Sequence, residues 1–288
     1  MRNYLHICNK GCRVIFRDKQ DYVYFINKFA IATTLNKIQV LAITVMSTHF
    51  HSIVIDADVS IIDNVILRLK KTYAIYYKNK YGDKLSNAIQ TSYREFHGSQ
   101  DIENEMLYVL RNPMHHYVMS SPFSYPFSNA SSLFKESLTT EDFGNWGKLS
   151  SRKANQLNYR EYRKIFGNDI AQINYEIDPN GMITFESFIN NKIARSFWKG
   201  YKQYLWDMLS NVKNVQSQII DQDNLDTQAD TMSDIDVCQL IDNQASSWSL
   251  KSFHYFNQEQ LEYVIRLLKK RNVNQQQIDR CLWINESK

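Results

Sequence analysis

Glycine, proline and cysteine are scarce in this sequence, and no long apolar run occurs in it. With 8 glycines and 4 prolines among 288 residues, the composition excludes a collagen-like or low-complexity chain. No stretch of about 18 apolar residues exists, so neither a membrane-spanning helix nor a membrane partner is expected. The 4 cysteines are dispersed and suggest no disulfide framework, which favours a reduced, cytoplasmic setting.

Apolar and aromatic side chains are plentiful. Hydrophobic residues make up 43% of the chain and aromatic residues 13%, which is enough for one large domain or two smaller ones. The net charge of +4 is too mild to identify a partner. It is compatible with nucleic acid where the positive charge is concentrated locally.

Hydrophobic periodicity predicts an alternation of strands and helices over about residues 1–125. Short turns join adjacent strands, as an antiparallel sheet requires, and helices would cover one side of it. This order predicts an α+β domain of the ferredoxin-like kind, followed by a mostly helical C-terminal region. The predicted strands are 3–9, 38–46, 49–55 and 92–96, and the predicted helices are 19–36, 60–81 and 99–112, the last of which is expected to stop at Pro113.

Three segments of different composition follow. Residues 135–214 are predicted to form a mixed helical extension, for which the sequence indicates no role. Residues 215–250 are rich in aspartate and contain no lysine or arginine, a composition typical of an exposed connector. Residues 251–288 regain helical periodicity and are predicted to form a small terminal unit.

Two histidines lie two positions apart in the third predicted strand. Because side chains alternate along a strand, His49 and His51 should project from one face while Phe50 enters the core. Two imidazoles on one face are a simple way for a sheet to offer nitrogen ligands to a divalent ion. The same spacing also fits two ordinary histidines on a half-exposed strand.

The helix predicted over 99–112 places a phenol and an amide on one face, because Tyr108 and Asn112 are four residues apart. Glu105 lies close to that face, three residues before the tyrosine. A phenol facing a histidine-bound ion suits phosphodiester cleavage, in which its oxygen attacks phosphorus and forms a covalent phosphotyrosine. Spacing alone also fits a tyrosine that packs the helix against the sheet.

Three stretches together resemble the single-tyrosine HUH transposases, in particular their REP-associated tyrosine transposase branch. They are similar to the family's opening strand, turn and helix, to its His-hydrophobic-His strand, and to its tyrosine helix with the Asn-Pro end and Ser-rich loop. The resemblance covers about the first 135 residues in consistent order and implies an HUH nuclease domain over 1–134. The stretches are NYLHICNKGCRVIFRDKQDYVYFI (3–26), AITVMSTHFHSIVI (42–55) and YVLRNPMHHYVMSSPFSYPFSNASSLF (108–134).

The resemblance implies roles for four residues. His49 and His51 match the metal-binding histidines, Asn112 matches a third, amide ligand, and Tyr108 matches the nucleophile. The implied ion is Mg²⁺ or Mn²⁺. One departure is the dipeptide Ser47-Thr48, where the family often has Pro-Asn, and it alters a turn rather than a ligand.

The activity that the resemblance implies is metal-dependent cleavage and transfer of single-stranded or hairpin DNA through a 5′-phosphotyrosine intermediate, as in DNA transposition at hairpin-forming repeats. Two alternatives stay open: a domesticated DNA-binding protein that has lost cleavage, and a replication-initiator nuclease with the same chemistry. A homodimer and a monomer are equally compatible with the sequence.

Three other histidines flank these motifs. His6, on the first predicted strand, is interpreted as structural. His115 and His116 follow the Asn-Pro step, where a phosphate contact or a plain surface role is favoured over metal ligation.

The helix predicted over 60–81 interleaves basic and aromatic side chains. Basic groups can neutralise phosphates, and tyrosines can stack on unpaired bases. The pattern also fits tyrosines that pack on the sheet beneath solvated lysines. DNA contacts are predicted for Arg68, Lys70, Lys71, Tyr77 and Lys78.

The terminal unit resembles the helix-turn-helix modules of bacterial transposase-like proteins. A turn at 271–273 separates two helical patterns, and Asn274 can cap the second. Gln275, Gln276 and Arg280 are then expected to face outward as base or phosphate readers. The alternative is a plain helical hairpin for protein contacts. The acidic connector is expected to let this unit move relative to the catalytic domain.

Overall fold

Four strands form one antiparallel sheet in the order β2-β3-β1-β4. A computed structural model describes residues 3–56, 58–82, 85, 90–116, 118, 121–137, 150–167, 175–210 and 230–284. This strand order, with helices between the strands, is the ferredoxin-like arrangement, so the predicted α+β fold with a mostly helical C-terminal region is confirmed. The strands are β1 (Tyr4–Lys10), β2 (Gln39–Val45), β3 (Phe50–Ile55) and β4 (Gln90–Phe96).

Helices cover both faces of the sheet, so the prediction that they cover only one side is wrong. Helices α1 (Lys19–Leu35) and α2 (Val59–Tyr81) lie on one face, where Phe25 of α1 packs against Phe50 at 5.0 Å between ring centroids. Helix α3 (Ser99–His115) covers the other face and packs on β2 and β3. Apolar side chains fill the first interface, while the second also encloses polar groups.

The helix ends show how the sequence sets the boundaries. Asp18 caps α1 and forms a capping box with Asp21. Helix α2 ends at Tyr81, as predicted, and the following Gly82 has a φ of 87°, in the left-handed region that glycine adopts without strain.

Helix α3 continues past the proline that was expected to end it. Pro113 lies inside the helix, which ends at His115. A proline removes one backbone donor and crowds the preceding turn, but here only the last turn is affected. The backbone N–H of His116 donates to the Asn112 carbonyl at 3.1 Å, so the helix closes beyond the proline. The prediction that Pro113 stops the helix is wrong.

The extension after residue 134 packs against α1. Its described parts include a two-stranded sheet, in which β5 pairs with β6, and three short helices. Ala30 and Ile31 of α1 share a small apolar core with this segment. The elements are β5 (Arg152–Lys153), α4 (Tyr159–Phe166), β6 (Glu176–Ile177), α5 (Asn191–Arg195) and α6 (Tyr201–Leu209).

A helix, α7 (Asp234–Ser247), occupies the second half of the predicted acidic connector. Val237, Cys238, Ile241 and Ala245 are buried at helical spacing, so a narrow apolar stripe suffices to pack a segment whose other side chains are polar. The expectation of an exposed connector is therefore wrong for these residues. Residues 215–229 lie outside the described residues, and the domain boundaries stay a prediction.

The terminal helices α8 (Gln258–Lys270) and α9 (Gln275–Leu282) pack with α7 into a second core that also includes Val14. The Nε1–H of Trp283 donates to the Val14 carbonyl at 3.0 Å, and its ring stacks on Tyr77 of α2 at 5.6 Å. The terminal unit is thus seated on the N-terminal domain, contrary to the expectation of a freely moving module. Among the described residues, no helix is both long and apolar enough to cross a bilayer.

A buried arginine joins the two units. Arg17 is fully buried, donates to the carbonyl of Cys281 at 2.8 Å and pairs with Asp242 at 2.8 Å.

We expect Arg17→Met to destabilise the protein by about 3 kcal/mol, because removing one partner leaves buried polar groups without a hydrogen bond. Arg266→Met, at an exposed position on α8, should change stability by less than about 0.5 kcal/mol. Denaturant unfolding measures both, and equal losses would contradict the anchoring role.

Candidate active site

The site lies on the face of the sheet that α3 covers. Strand alternation sends Phe50 to the opposite face, as predicted, so His49 and His51 project together with 5.0 Å between ring centroids. The Oδ1 of Asn112, on α3, lies 3.1 Å from the Nε2 of His49. The structure therefore brings together all three side chains that the sequence nominates as metal ligands.

Tyr108 lies beside this group, one helical turn before Asn112. Its ring meets the His51 ring edge-on, with 5.3 Å between centroids. The side chain is nearly enclosed, since the residue is only 6% exposed. The candidate nucleophile and the candidate ligands thus form one cluster between α3 and the sheet.

Two further residues extend the cluster inward. His6 of β1 places its Nε2 2.9 Å from the Nδ1 of His51. Its other ring nitrogen, Nδ1, lies 2.6 Å from the Oε1 of Glu105 on α3. From the sequence alone, His6 is interpreted as structural. The sequence could not predict this contact, because the contact depends on the register between β1 and β3, in which Cys8 opposes His51.

The outer side of the cluster is formed by two half-buried histidines. The His115 ring stacks on Tyr108 at 5.7 Å, and the His116 ring lies 5.1 Å from His49. Both histidines were expected at the surface or at a phosphate. Of the imidazole rings around Tyr108 and the candidate ligands, theirs are the most exposed.

The electrostatics of the cluster favour an uncharged His51 imidazole. Burial, followed by repulsion from His49, His6, His116 and His115, holds the pKa of His51 well below its ordinary value. A neutral imidazole is the form that binds a metal ion.

The donor atoms fit a divalent ion. Among the described residues, the buried Nε2 of His51 has no hydrogen-bond partner, and such an atom is normally satisfied. The 3.1 Å between His49 Nε2 and Asn112 Oδ1 is close to the spacing of two neighbouring ligands that each lie about 2.1 Å from an octahedral ion. Within the described ranges no group of three or more His, Cys, Asp or Glu side chains is arranged to hold an ion. The candidate donor set therefore includes the amide oxygen of Asn112 beside the two imidazoles.

The predicted DNA contacts on α2 differ in their exposure. Tyr77 is fully buried, stacks on Trp283, and cannot stack on a base, so that prediction is wrong. The reason is that Tyr77 shares the helix face that packs on the sheet and on the terminal unit. Lys70 is half-buried, and loss of hydration lowers its pKa. Arg68, Lys71 and Lys78 are exposed, but α2 lies on the sheet face opposite to Tyr108.

The terminal hairpin forms as predicted, with Asn274 capping α9. Gln275 and Gln276 are exposed at its start. Arg280 instead turns back and pairs with Asp230 and Asp234. Its expected outward orientation is wrong, because the aspartates around α7 neutralise it.

Arg94, an exposed cation on the same face of the sheet as the candidate site, was not identified from the sequence. Arg94 of β4 is paired in register with His6 of β1, and directly paired residues in a sheet point to the same face. Its guanidinium lies over the Phe96 ring at 5.0 Å. Strand alternation in the segment 92–96 could have placed Arg94 on one face, but only the strand order identifies that face as the site's.

No family model matches the chain, and no curated protein matches it. Among solved structures, a REP-associated tyrosine transposase bound to a REP hairpin is similar, at 16% sequence identity and a TM-score of 0.39. The similarity covers 50% of this chain and 85% of that one. At this level the likeness does not bear on the chemistry, which depends on the residues described above.

Metal binding can be tested with the protein alone. We expect calorimetry to show one Mn²⁺ site that is lost in His51→Ala, with affinity lowered by more than about 100-fold, because a ligand is removed. His97→Ala, at an exposed position outside the cluster, should bind as wild type does. Equal affinity of the His51 variant and the wild type would show that Mn²⁺ binds elsewhere.

Proposed function

We propose that this protein cleaves single-stranded DNA and transfers the strand through a covalent 5′-phosphotyrosine, with Tyr108 as the nucleophile. The observation that carries the proposal is the convergence of His49, His51 and Asn112 beside the Tyr108 ring on one face of the sheet. Hairpin-forming repeats are proposed as targets on the sequence resemblance, with transposition as the process and the cytoplasm as the compartment.

The proposed role of Tyr108 follows from the chemistry of a phenol. Its oxygen bonds to phosphorus as the bond from phosphorus to the 3′ oxygen breaks, and that oxygen leaves as a hydroxyl once protonated. The phosphotyrosine conserves the bond for religation to a second 3′ hydroxyl. Bound to His49, His51 and Asn112, Mg²⁺ or Mn²⁺ would supply polarisation of the scissile phosphate.

Proton removal is assigned to His115, because His51 is a proposed metal ligand and His6 is held between Glu105 and His51. A free phenol has a pKa near 10, so near neutral pH it needs an adjacent base. The rings of His6, His51 and His115 border Tyr108. His115 is the most exposed of the three and is therefore the one that entering DNA meets first.

Other exposed side chains are proposed to hold the DNA beyond the site. Arg94 lies on the site's own face and suits a phosphate close to the scissile bond. Arg68, Lys71 and Lys78 of α2 suit phosphates further along the strand. Gln275 and Gln276 are proposed as contacts to a hairpin stem.

A second candidate function is DNA binding without cleavage. The 6% exposure of Tyr108 favours it, because a nucleophile has to reach its phosphate. The intact set of ligands beside the phenol favours cleavage. The two functions share the DNA-binding residues and differ only in whether an adduct forms.

Tyr108→Phe separates these functions. Phenylalanine keeps the ring and its packing and removes only the attacking oxygen, so we expect no covalent adduct and nearly unchanged DNA affinity. Denaturing electrophoresis with labelled hairpin substrates and Mn²⁺ or Mg²⁺ measures the adduct. Tyr93→Phe is the matched control, since its ring faces Asp63 of α2 on the other side of the sheet. Tyr125 cannot substitute, because it is buried and its hydroxyl donates to the Val45 carbonyl.

An adduct with the Tyr108 variant would assign the nucleophile to another residue. No adduct from wild type with any hairpin and either metal would make DNA binding without cleavage the better account. Tyr117, the other tyrosine that follows in this segment, lies outside the described residues.

The α2 cations can be tested by salt dependence. Lys71→Gln with Lys78→Gln should lower DNA affinity and reduce the slope of log affinity against log salt by about 2, one per lost phosphate contact. Lys192→Gln with Lys199→Gln removes the same charge from exposed positions in the extension and should leave the slope unchanged. Equal slopes for both double variants would exclude α2 from the DNA path.

A further inference from the structure

A chain of hydrogen bonds links a carboxylate to one of the proposed ligands. Glu105 Oε1 lies 2.6 Å from His6 Nδ1, and His6 Nε2 lies 2.9 Å from His51 Nδ1. All three residues are buried. They come from α3, β1 and β3 and meet only because the sheet register brings His6 diagonally opposite His51.

The direction of these bonds follows from donor and acceptor capacity. A carboxylate only accepts, so the Nδ1 of His6 carries the hydrogen that lies toward Glu105. In a neutral imidazole the second nitrogen is then an acceptor, so His6 Nε2 accepts a hydrogen from His51 Nδ1. By the same rule the Nε2 of His51 keeps its lone pair. That is the buried atom for which no hydrogen-bond partner is found among the described residues.

We propose that Glu105 and His6 are positioning residues that fix the tautomer and the ring orientation of His51, so that its Nε2 lone pair faces the metal position. This inference rests on the proposed function of the site. It assigns roles to Glu105 and His6, which the sequence resemblance leaves without one.

The arrangement matches a general requirement of metal sites. A ligating histidine usually donates its other ring N–H to an acceptor, which sets the tautomer and raises its basicity as a ligand. Here that acceptor is a second imidazole, which is itself oriented by a carboxylate. Glu105 is also three residues before Tyr108 on α3, so one helix carries the nucleophile, the amide ligand and the carboxylate that orients the histidine.

The tautomer can be measured directly in the metal-free protein. In long-range ¹H–¹⁵N correlation spectra with labelled histidine, we expect His51 to carry its hydrogen on Nδ1 and His6 also to carry it on Nδ1. His6→Phe keeps an aromatic ring in place and removes the acceptor, so the single-tautomer signature of His51 should be lost. A His51 hydrogen on Nε2 in wild type would overturn the proposal, whatever the variants do.

Metal affinity gives an independent readout. Glu105→Leu removes the acceptor, and we expect it to weaken Mn²⁺ binding by about 10- to 100-fold. Glu105→Gln keeps an acceptor oxygen and should recover most of that loss. Glu103→Gln on the same helix is the matched control, because the nearby acidic group that acts on Glu103 is Asp207, away from the histidines. It should bind Mn²⁺ as wild type does.

A merely structural role for Glu105 would lower the unfolding midpoint of the leucine variant while leaving Mn²⁺ affinity unchanged in the folded protein, and that result would overturn the proposal. The positioning role alone would be refuted if wild type binds Mn²⁺ and forms the DNA adduct while Glu105→Leu binds Mn²⁺ with the same affinity as wild type. Wild type that neither binds Mn²⁺ nor forms an adduct would refute the proposed function as well.

Discussion

The site depends on the alternation of side chains in β3. Phe50 enters the apolar core beneath α1, and this forces His49 and His51 to the other face of the sheet. The strand is held in that register by its neighbours, and the side chain of Asn9 on β1 accepts the Phe50 backbone N–H at 2.5 Å. A shift of one residue would bury both imidazoles in the apolar core and place the phenylalanine among the polar groups under α3, so packing on one face determines which side chains lie on the other.

The two faces of the sheet are therefore packed with different kinds of side chain. The face under α1 and α2 is closed by aromatic and aliphatic side chains, and it supplies the apolar burial that stabilises the fold. The face under α3 buries several polar groups, which is costly unless each finds a partner. The Glu105–His6–His51 chain satisfies several of them. In the described part of the chain the unsatisfied buried atoms include His51 Nε2, which lies at the proposed ion position.

The sequence was sufficient for what local spacing controls. Strand period placed the two histidines together, and helical period placed Tyr108 and Asn112 on one face. The sequence was insufficient where a contact with a distant segment decides the environment of a side chain. Spacing defines which face of an element a residue lies on, but not which segment covers that face. Tyr77 is on the buried face of α2, and Arg280 is neutralised by aspartates distant in sequence. The His6 contact needed the register of two strands, and the helix over 234–247 was hidden by its acidic composition.

The seating of the terminal unit constrains how DNA could reach the phenol. Trp283 stacks on Tyr77 of α2, and Arg17 bonds to α7 and to the end of α9. These contacts are made from the α2 side of the molecule, whereas Tyr108 lies on the opposite face of the sheet. A DNA molecule that contacts both α2 and Tyr108 has to pass around an edge of the sheet. A straight, stiff duplex resists such a path, whereas an unpaired strand follows it readily. This geometry favours a substrate that is base-paired at most in part, in agreement with the proposed reaction on single-stranded DNA next to a hairpin.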